Sequence, residues 1–276
     1  MERALGATRD RLDEVVTALG RVVVAYSGGV DSALLAAVAH DHLGDGALAV
    51  TAVSPSLATR ERRAAQDLAQ RFGWNHRLVG THEVAREEYA VNDRDRCYWC
   101  KTELFEVLGP IAAEHRGAIA VGTNVDDRSD YRPGLRAARE NLVVAPLADA
   151  GLTKDDVRAL SAARGLPTAD KPASPCLASR FAYGVRVTPR GLRRIDAAEE
   201  AVRAHGFDVF RVRDHGDVAR LEVLPDEIPR ALELSDAITD ELVALGFRAV
   251  TVDPKGFRSG SMNEILISPG FRSASN

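Results

Sequence analysis

Alternating strand and helix patterns between residues 21 and 165 constrain the fold more than any other feature of this chain. Short β-branched or apolar runs predict strands at Val22–Val24, Ala47–Val53, His76–Val79, Ala118–Val121 and Asn141–Ala145. Helical segments between them begin near Asp31, Thr59 and Lys101. Because parallel neighbours need a crossover connection, this order favours an α/β fold with a doubly wound parallel sheet and right-handed crossovers.

A further helix is predicted to begin at Thr153 and to end at Gly165. Thr153 is followed three positions later by Asp156, which is the spacing of a capping box. Gly165 has the position of a C-terminal glycine that can adopt a positive φ.

The pattern changes after Gly165. Segment 166–184 contains three prolines and has no usable periodicity, so it predicts an ordered loop or linker. Beyond Thr188 we predict a helix to about His205, and then a set of short elements: strands at Val209–Val212 and Ala219–Val223, a helix at Ala231–Leu245 and a strand at Ala249–Val252. We therefore predict a first domain at 1–170, a linker at 171–187 and a small α+β domain at 188–276.

Composition limits the function classes. The chain has 276 residues and is 45% hydrophobic, which is enough to form a core and excludes disorder as its main state. Its 36 basic and 40 acidic residues give a net charge of -4, so we expect no extended nucleic-acid-binding surface. The apolar run Val22–Ala25 is too short to cross a bilayer, and no secretory pattern follows Met1, so we expect a cytoplasmic protein without membrane association.

A glycine-rich turn between the first strand and the first helix is a candidate phosphate site. It consists of Ser27, Gly28, Gly29, Val30, Asp31 and Ser32. Paired glycines let backbone amides approach an oxyanion, and the helix N-terminus adds partial positive charge. The serine hydroxyls can donate hydrogen bonds, and Asp31 can hold Mg²⁺ on the phosphates. Neither the Walker nor the dinucleotide pattern is present, and the alternative is a turn that only joins strand to helix.

These residues resemble a known family. SGGVDS resembles the pyrophosphate loop (PP-loop) of the ATP pyrophosphatases, and GTNVDD at 122–127 resembles their second ATP-contacting segment. Further strings make the resemblance more specific; they are DYRPG at 130–134, GLTKDDVR at 151–158, GLPTADKPASPCLASRFAYG at 165–184, RVRDHGDVARLEV at 211–223 and GFRSGSMNE at 256–264. Together they are similar to the LarE family of ATP-dependent sulfur transferases, over nearly the whole chain.

The resemblance implies a PP-loop fold of the adenine nucleotide α-hydrolase type and a reaction on pyridinium-3,5-biscarboxylic acid mononucleotide. ATP adenylates a carboxylate of this substrate, and a sulfur nucleophile then displaces AMP, giving a thiocarboxylate in nickel-pincer nucleotide synthesis. The cofactors implied are ATP and Mg²⁺, the sulfide source is open, and a homo-oligomer is expected. Gly122, Thr123 and Asp126 are then expected near ATP, and Lys101 either contacts its phosphates or is a surface lysine.

Three cysteines remain to be explained. Cys97 and Cys100 form a C-x-x-C pair, and Cys176 lies in the proline-containing loop. The resemblance implies that the three hold a [4Fe-4S] cluster with one open iron, or that Cys176 alone gives up its sulfur. Zinc would need a fourth ligand such as His115 or His215, neither of which has the spacing of a zinc finger. A buried, unreactive thiol is the alternative for Cys100.

Arginines near Cys176 are candidate ligands for the anionic substrate. Arg180, Arg211 and Arg213 match substrate-binding segments of the family, and guanidinium groups suit phosphate and carboxylate. Arg211 and Arg213 are two residues apart on a predicted strand and therefore share a face. Ser179 and Glu199 match polar active-site positions. A solvated surface charge is the alternative for each arginine.

Two other functions stay open at this point. One is a tRNA thiolase of the same superfamily, although the negative charge and the absence of an added RNA-binding module make nucleic acid an unexpected partner. The other is a regulatory protein that binds a nucleotide without turnover.

Overall fold

The computed structural model describes residues 2–129 and 133–258. Within these ranges, chain contacts define two compact units. The first contains Met1–Tyr89 and Arg94–Pro175, and the second contains Ala90–Asp93 and Cys176–Asn276. Residues 130–132 and 259–264 of the family-like strings lie outside the described residues.

The first unit is built on a parallel sheet. Its strands are β1 (Val22–Ala25), β2 (Ala47–Val53), β3 (His76–Gly80) and β4 (Ala118–Ala120), in the order β3-β2-β1-β4. The chain builds outward from β1 to β3 and then crosses to β4 on the other side of β1. The predicted α/β fold with a parallel sheet is thereby confirmed. In such sheets, ligands bind at the carboxyl ends of the strands where this reversal occurs.

Helices cover the two faces of this sheet. They are α1 (Glu2–Ala18), α2 (Val30–Leu43), α3 (Thr59–Arg71), α4 (Glu87–Ala90), α5 (Arg96–His115), α6 (Pro133–Glu140), α7 (Pro146–Asp149) and α8 (Lys154–Ala163). Val22 and Val24 are buried in one cluster with Leu34 of α2. Val23 is buried in another cluster, with Leu108 of α5. Successive strand residues thus contact opposite faces, as the pleat requires.

The fifth predicted strand is wrong. Asn141–Ala145 forms one isolated parallel bridge, between Val144 and Ala120. Leu142 has a φ of 54° and is 88% exposed, so the chain is still turning out of α6 when it reaches the sheet. A left-handed residue in this position interrupts extended backbone and leaves room for only one pairing.

The second unit contains a three-stranded sheet. Its strands are β5 (Phe210–Asp214), β6 (Val218–Val223) and β7 (Ala249–Val252), in the order β5-β6-β7. The β5–β6 pair is antiparallel, and the β6–β7 pair is parallel. Its helices are α9 (Pro189–Ala204), α10 (Ile228–Glu233) and α11 (Ser235–Ala244). One helix had been predicted for 231–245, but Leu234 (ψ 5°) leaves helical geometry and divides it into two.

The helix predicted at Thr153 is confirmed in its capping. The Thr153 hydroxyl accepts from the Asp156 amide at 3.2 Å, and the Asp156 carboxylate accepts from the Thr153 amide at 3.0 Å. Both groups of the capping box are therefore satisfied, which fixes where α8 begins. No helix in the described residues is both long and apolar enough to cross a membrane.

Thr153→Ala should destabilise the first unit by about 1 kcal/mol, because it removes the hydroxyl that caps α8. Both tryptophans, Trp74 and Trp99, lie in this unit, so urea unfolding followed by tryptophan fluorescence measures it. Thr17→Ala is the matched control, since its hydroxyl only bonds the carbonyl of Asp13 within α1. Equal losses in the two variants would contradict the role assigned to the cap.

Candidate functional site

The loop between β1 and α2 is braced by its two serines. The Ser32 hydroxyl accepts from the Ser27 amide at 3.2 Å, lies 3.1 Å from the Ser27 hydroxyl and donates to the Gly29 carbonyl at 3.2 Å. Gly29 is the N-cap of α2, and no side chain caps this helix. The first amides of α2 therefore lack both helical partners and a side-chain cap, as expected where an anion binds.

Two glycines allow unusually close backbone contacts around this loop. Gly28 has a φ of 73°, and a Cβ there would stand 2.8 Å from the Cβ of Ala65 in α3. A Cβ on Gly122 would stand 2.8 Å from the Ser32 amide nitrogen. Gly122 follows β4, so the loops after β1 and β4 lie directly against each other. The structure thus brings the two predicted ATP-binding segments together.

The carboxylate of Asp31 is held by two side chains from other segments. The Lys154 ammonium donates to Oδ2 at 2.5 Å, and the Asn124 amide donates to Oδ1 at 3.0 Å. The side chains of Asp31 and Lys154 are 24% and 38% exposed, so ligands in solution can reach the pair. Sequence analysis did not identify Lys154 as a site residue. Its position directly after the capping Thr153, in the string GLTKDDVR, was the available signal.

The segment after β4 is shaped by Asn124. Its side-chain carbonyl accepts from the Asp126 amide at 3.0 Å, which makes a turn of the Asx type. The Asp126 carboxylate in turn accepts from the backbone amide of Lys154 at 2.8 Å. The Thr123 carbonyl accepts from the amide of Ala148 at 3.1 Å. This turn therefore places Lys154 and Asp31 next to each other.

Lys101 lies on α5, in the helix turn that follows the C-x-x-C pair. A Cβ on Gly134 would stand 3.0 Å from its Cγ, so the lysine stem packs against α6. Its contact with ATP phosphates stays a prediction.

The cysteines occupy both units. Helix α5 begins at Arg96, five residues earlier than predicted, so Cys97 and Cys100 lie near its start and one turn apart on one face. Cys97 is exposed, Cys100 and Cys176 are half-buried, and all three are free thiols. In the described part of the chain, no group of three or more His, Cys, Asp or Glu side chains is arranged to hold a metal ion. The three-cysteine site stays a prediction.

Two of the predicted arginines are buried in ion pairs within the second unit. The Arg180 guanidinium donates to both oxygens of Glu199, at 2.8 and 3.1 Å, and these side chains are 4% and 9% exposed. Arg213 donates to Glu222 from Nε at 2.9 Å and from Nη2 at 2.8 Å. Glu222 had not been identified from the sequence. Bidentate contacts with buried carboxylates fix both guanidinium groups in orientation.

These arginines also hold the segment that carries Cys176. Arg180 Nη1 donates to the Cys176 carbonyl at 3.3 Å and to the Ser179 hydroxyl at 3.1 Å. Arg213 Nη1 donates to the Ser179 carbonyl at 3.0 Å. The short 3-10 turn Leu177–Arg180 is therefore tied to β5 and α9, which positions Cys176 from one side.

Arg211 differs from its two neighbours. Burial lowers the pKa of its guanidinium to about 10, and the charge of Arg180 acts in the same direction. Its guanidinium lies 5.1 Å from the centre of the Phe257 ring. A lowered pKa means that the surroundings disfavour the cation, so an anionic ligand at Arg211 would relieve an existing electrostatic cost.

The fold and the loops at the carboxyl ends of β1 and β4 define an α/β nucleotide-binding protein of the PP-loop class. A family model described as asparagine synthase matches residues 7–106, which include the phosphate loop. This match covers only the first part of the chain.

Three relatives extend the comparison. An uncharacterized protein of Synechocystis sp. is 45% identical over 253 residues, covering 90% of this chain and 94% of that protein. The pyridinium-3,5-bisthiocarboxylic acid mononucleotide synthase of Lactiplantibacillus plantarum is 39% identical over 250 residues, or 90% and 91% of the two chains. The tRNA-specific 2-thiouridylase MnmA of Azorhizobium caulinodans is 36% identical, but over only 56% of this chain and 49% of its own length.

The chain belongs to the LarE family of ATP-dependent sulfurtransferases, which includes the Lactiplantibacillus synthase. The predicted enzyme class is thereby confirmed. The roles of individual site residues stay predictions.

Glu199→Ala should destabilise the second unit by about 3 kcal/mol, because it leaves the buried Arg180 guanidinium without its carboxylate. Calorimetric unfolding of the variant and wild type measures the loss. The neighbouring Glu200→Ala is the control. Its side chain is 54% exposed in its pair with Arg203, so a change within about 0.5 kcal/mol is expected. A similar effect of both substitutions would show that the Arg180–Glu199 pair does not support the Cys176 segment.

Proposed function

We propose that this enzyme inserts sulfur into pyridinium-3,5-biscarboxylic acid mononucleotide at the expense of ATP, in nickel-pincer nucleotide synthesis. The observation that carries the proposal is the match to the Lactiplantibacillus synthase over nine-tenths of both chains. The adjoining loops after β1 and β4 support it, since they suit the binding of a nucleotide phosphate. A carboxylate is a poor electrophile, and AMP converts its oxygen into a good leaving group.

The first half-reaction is adenylation of the substrate. A carboxylate oxygen attacks the α-phosphorus of ATP, the bond to the β-phosphate breaks, and pyrophosphate leaves. In this step the amides at the start of α2 bind the departing pyrophosphate, and the Ser27–Ser32 contact keeps the loop in shape. Asp31 would hold Mg²⁺, which neutralises phosphate charge when bound. Lys154 then exchanges Asp31 for a phosphate oxygen as its partner.

The second half-reaction is sulfur transfer. A sulfur nucleophile attacks the acyl carbon, the bond to the AMP oxygen breaks, and a thiocarboxylate and AMP result. We assign substrate binding to the second unit. Arg211 is the strongest candidate for an anionic group, because Arg180 and Arg213 already pair with Glu199 and Glu222. We assign to those two the orientation of the segment from Cys176 to Ser179.

For the sulfur source we propose a three-cysteine [4Fe-4S] cluster on Cys97, Cys100 and Cys176. The donor set fits, since thiolates are the usual ligands of such clusters and the helical C-x-x-C pair puts two of them on one face. A bound cluster would supply sulfide through its open iron. The alternative is that Cys176 donates its own sulfur once. Cys176 is half-buried, so it is partly accessible in either case.

The two units have separate roles in this proposal. We assign ATP binding to predicted domain 1–170, the reactive cysteine to the segment 171–187, and substrate binding with self-association to 188–276.

Lys154→Met should lower kcat/KM for ATP by about tenfold, because it removes one charge-assisted hydrogen bond from the phosphate region. The assay is substrate-dependent formation of AMP and pyrophosphate with saturating pyridinium mononucleotide. Lys255→Met is the control, because Lys255 is exposed and belongs to the other unit. If the wild type forms AMP without the pyridinium substrate, or none with it, the proposed reaction is wrong. Binding of ATP without turnover would favour a regulatory protein.

Iron and acid-labile sulfide in anaerobically purified protein distinguish the two sulfur sources. We expect about four irons per chain, and their loss in Cys97→Ala because a ligand is removed. Tyr98→Phe is the control next to that ligand; it removes only the phenol that donates to Glu140. Iron-free protein that loses the mass of one sulfur at Cys176 during turnover would establish the sacrificial route instead.

A tRNA thiolase is the remaining candidate reaction, since a tRNA thiouridylase matches about half of the chain. Tight and salt-sensitive tRNA binding would favour it. The partial coverage of that relative gives it less support than the synthase has.

A further inference from the structure

Lysine is rare in this chain, and its positions are informative. The 36 basic residues include only four lysines: Lys101, Lys154, Lys171 and Lys255. Lys171 contacts the phosphate loop from below α8, in a segment that sequence analysis interpreted only as the start of a linker. Its ammonium donates to the Gly28 carbonyl at 3.0 Å and to the Glu61 carboxylate at 2.6 Å.

The backbone of Lys171 is fixed on both sides. Its amide donates to the Thr168 carbonyl at 3.1 Å, and its carbonyl accepts from Arg158 Nη2 at 3.2 Å. Arg158 Nη1 also donates to the Ala169 carbonyl, at 2.5 Å. Helix α8 therefore holds this short segment in place, and the Lys171 ammonium is presented to the loop as a fixed donor. Its side chain is only 21% exposed.

The far side of the contact is equally constrained. Glu61 and Ala65 lie one turn apart on α3, so they share the face that meets the phosphate loop. Ala65 packs against Gly28, and its carbonyl accepts from the Tyr26 hydroxyl at 3.1 Å. Glu61 is 19% exposed and compensates the charge of Lys171. The pair therefore brings little net charge to the loop.

The consequence lies in the peptide bond between Gly28 and Gly29. In a trans peptide, the carbonyl of one residue and the amide of the next point in opposite directions. Because the Gly28 carbonyl is bound by Lys171, the Gly29 amide must point away from Lys171. A glycine with a φ of 73° has access to several orientations of this peptide, so the loop needs an outside contact to select one.

We propose that Lys171 is a positioning residue, which fixes the Gly28–Gly29 peptide so that the Gly29 amide donates to the pyrophosphate part of ATP. It acts through backbone geometry and leaves direct phosphate contact to other groups. This inference rests on the proposed ATP-dependent function. It adds a residue whose effect is confined to the β- and γ-phosphates, since the adenosine and α-phosphate lie beyond the reach of a single peptide.

Binding measurements without turnover test the inference. Calorimetric titration with Mg-ATP and, separately, with AMP compares wild type, Lys171→Met, Lys171→Arg and the control Lys255→Met. We expect Lys171→Met to weaken Mg-ATP binding about tenfold, which corresponds to one lost hydrogen bond, and to leave AMP binding unchanged. Lys171→Arg keeps a donor for the Gly28 carbonyl and should recover most of the affinity.

Glu61→Gln separates positioning from direct charge contact. Glutamine still accepts from Lys171, so the positioning account expects Mg-ATP affinity within about twofold of wild type. Tighter binding in this variant would show that the uncompensated ammonium contacts phosphate directly, and would overturn the inference.

Two further outcomes have distinct meanings. Equal weakening of ATP and AMP in Lys171→Met, or no change in either, would also overturn the inference while leaving the proposed function intact. A wild type that binds no Mg-ATP would instead refute the proposed function. Thermal unfolding of each variant identifies any loss that comes from misfolding.

Discussion

Close backbone contact between the loops after β1 and β4 is the constraint on which the rest of the first unit depends. Gly122 stands where a side chain would collide with the Ser32 amide, so these two loops can meet only through glycine. This contact occurs where the strand order reverses, beside the uncapped start of α2. Carboxyl strand ends, free helix amides and adjoining loops together make a phosphate site without a long cationic side chain at its centre.

Around this site, charge is compensated before any ligand binds. Lys154 pairs with Asp31, and Lys171 pairs with Glu61. The second unit follows the same principle with Arg180 and Glu199, which are almost completely buried. Such pairs cost desolvation energy and add little stability, but they hold their groups in defined orientations. In this account the backbone amides and Arg211 provide the attraction for anionic ligands, and the ion pairs provide the geometry.

Local signals made much of this fold predictable. The capping box at Thr153 and strand Ala47–Val53 depend on neighbouring residues alone, and both were found from the sequence. Asn141–Ala145 has the composition of a strand, but the left-handed turn at Leu142 that limits it to one bridge has no sequence signal. Site residues that act across long sequence separations were missed for the same reason. Nothing near Lys171 in the sequence indicates that its ammonium meets the Gly28 carbonyl.

The central claim is that ATP activates a carboxylate oxygen of the pyridinium mononucleotide, and isotope transfer tests it most directly. The substrate is prepared with oxygen-18 in its carboxylates and is turned over in unlabelled water with ATP and a sulfide source. Because sulfur displaces AMP at the acyl carbon, the account predicts one labelled oxygen in each AMP released, together with the thiocarboxylate product. Unlabelled AMP, with all the label retained in the pyridinium compound, would show that ATP is cleaved by water and would contradict the account.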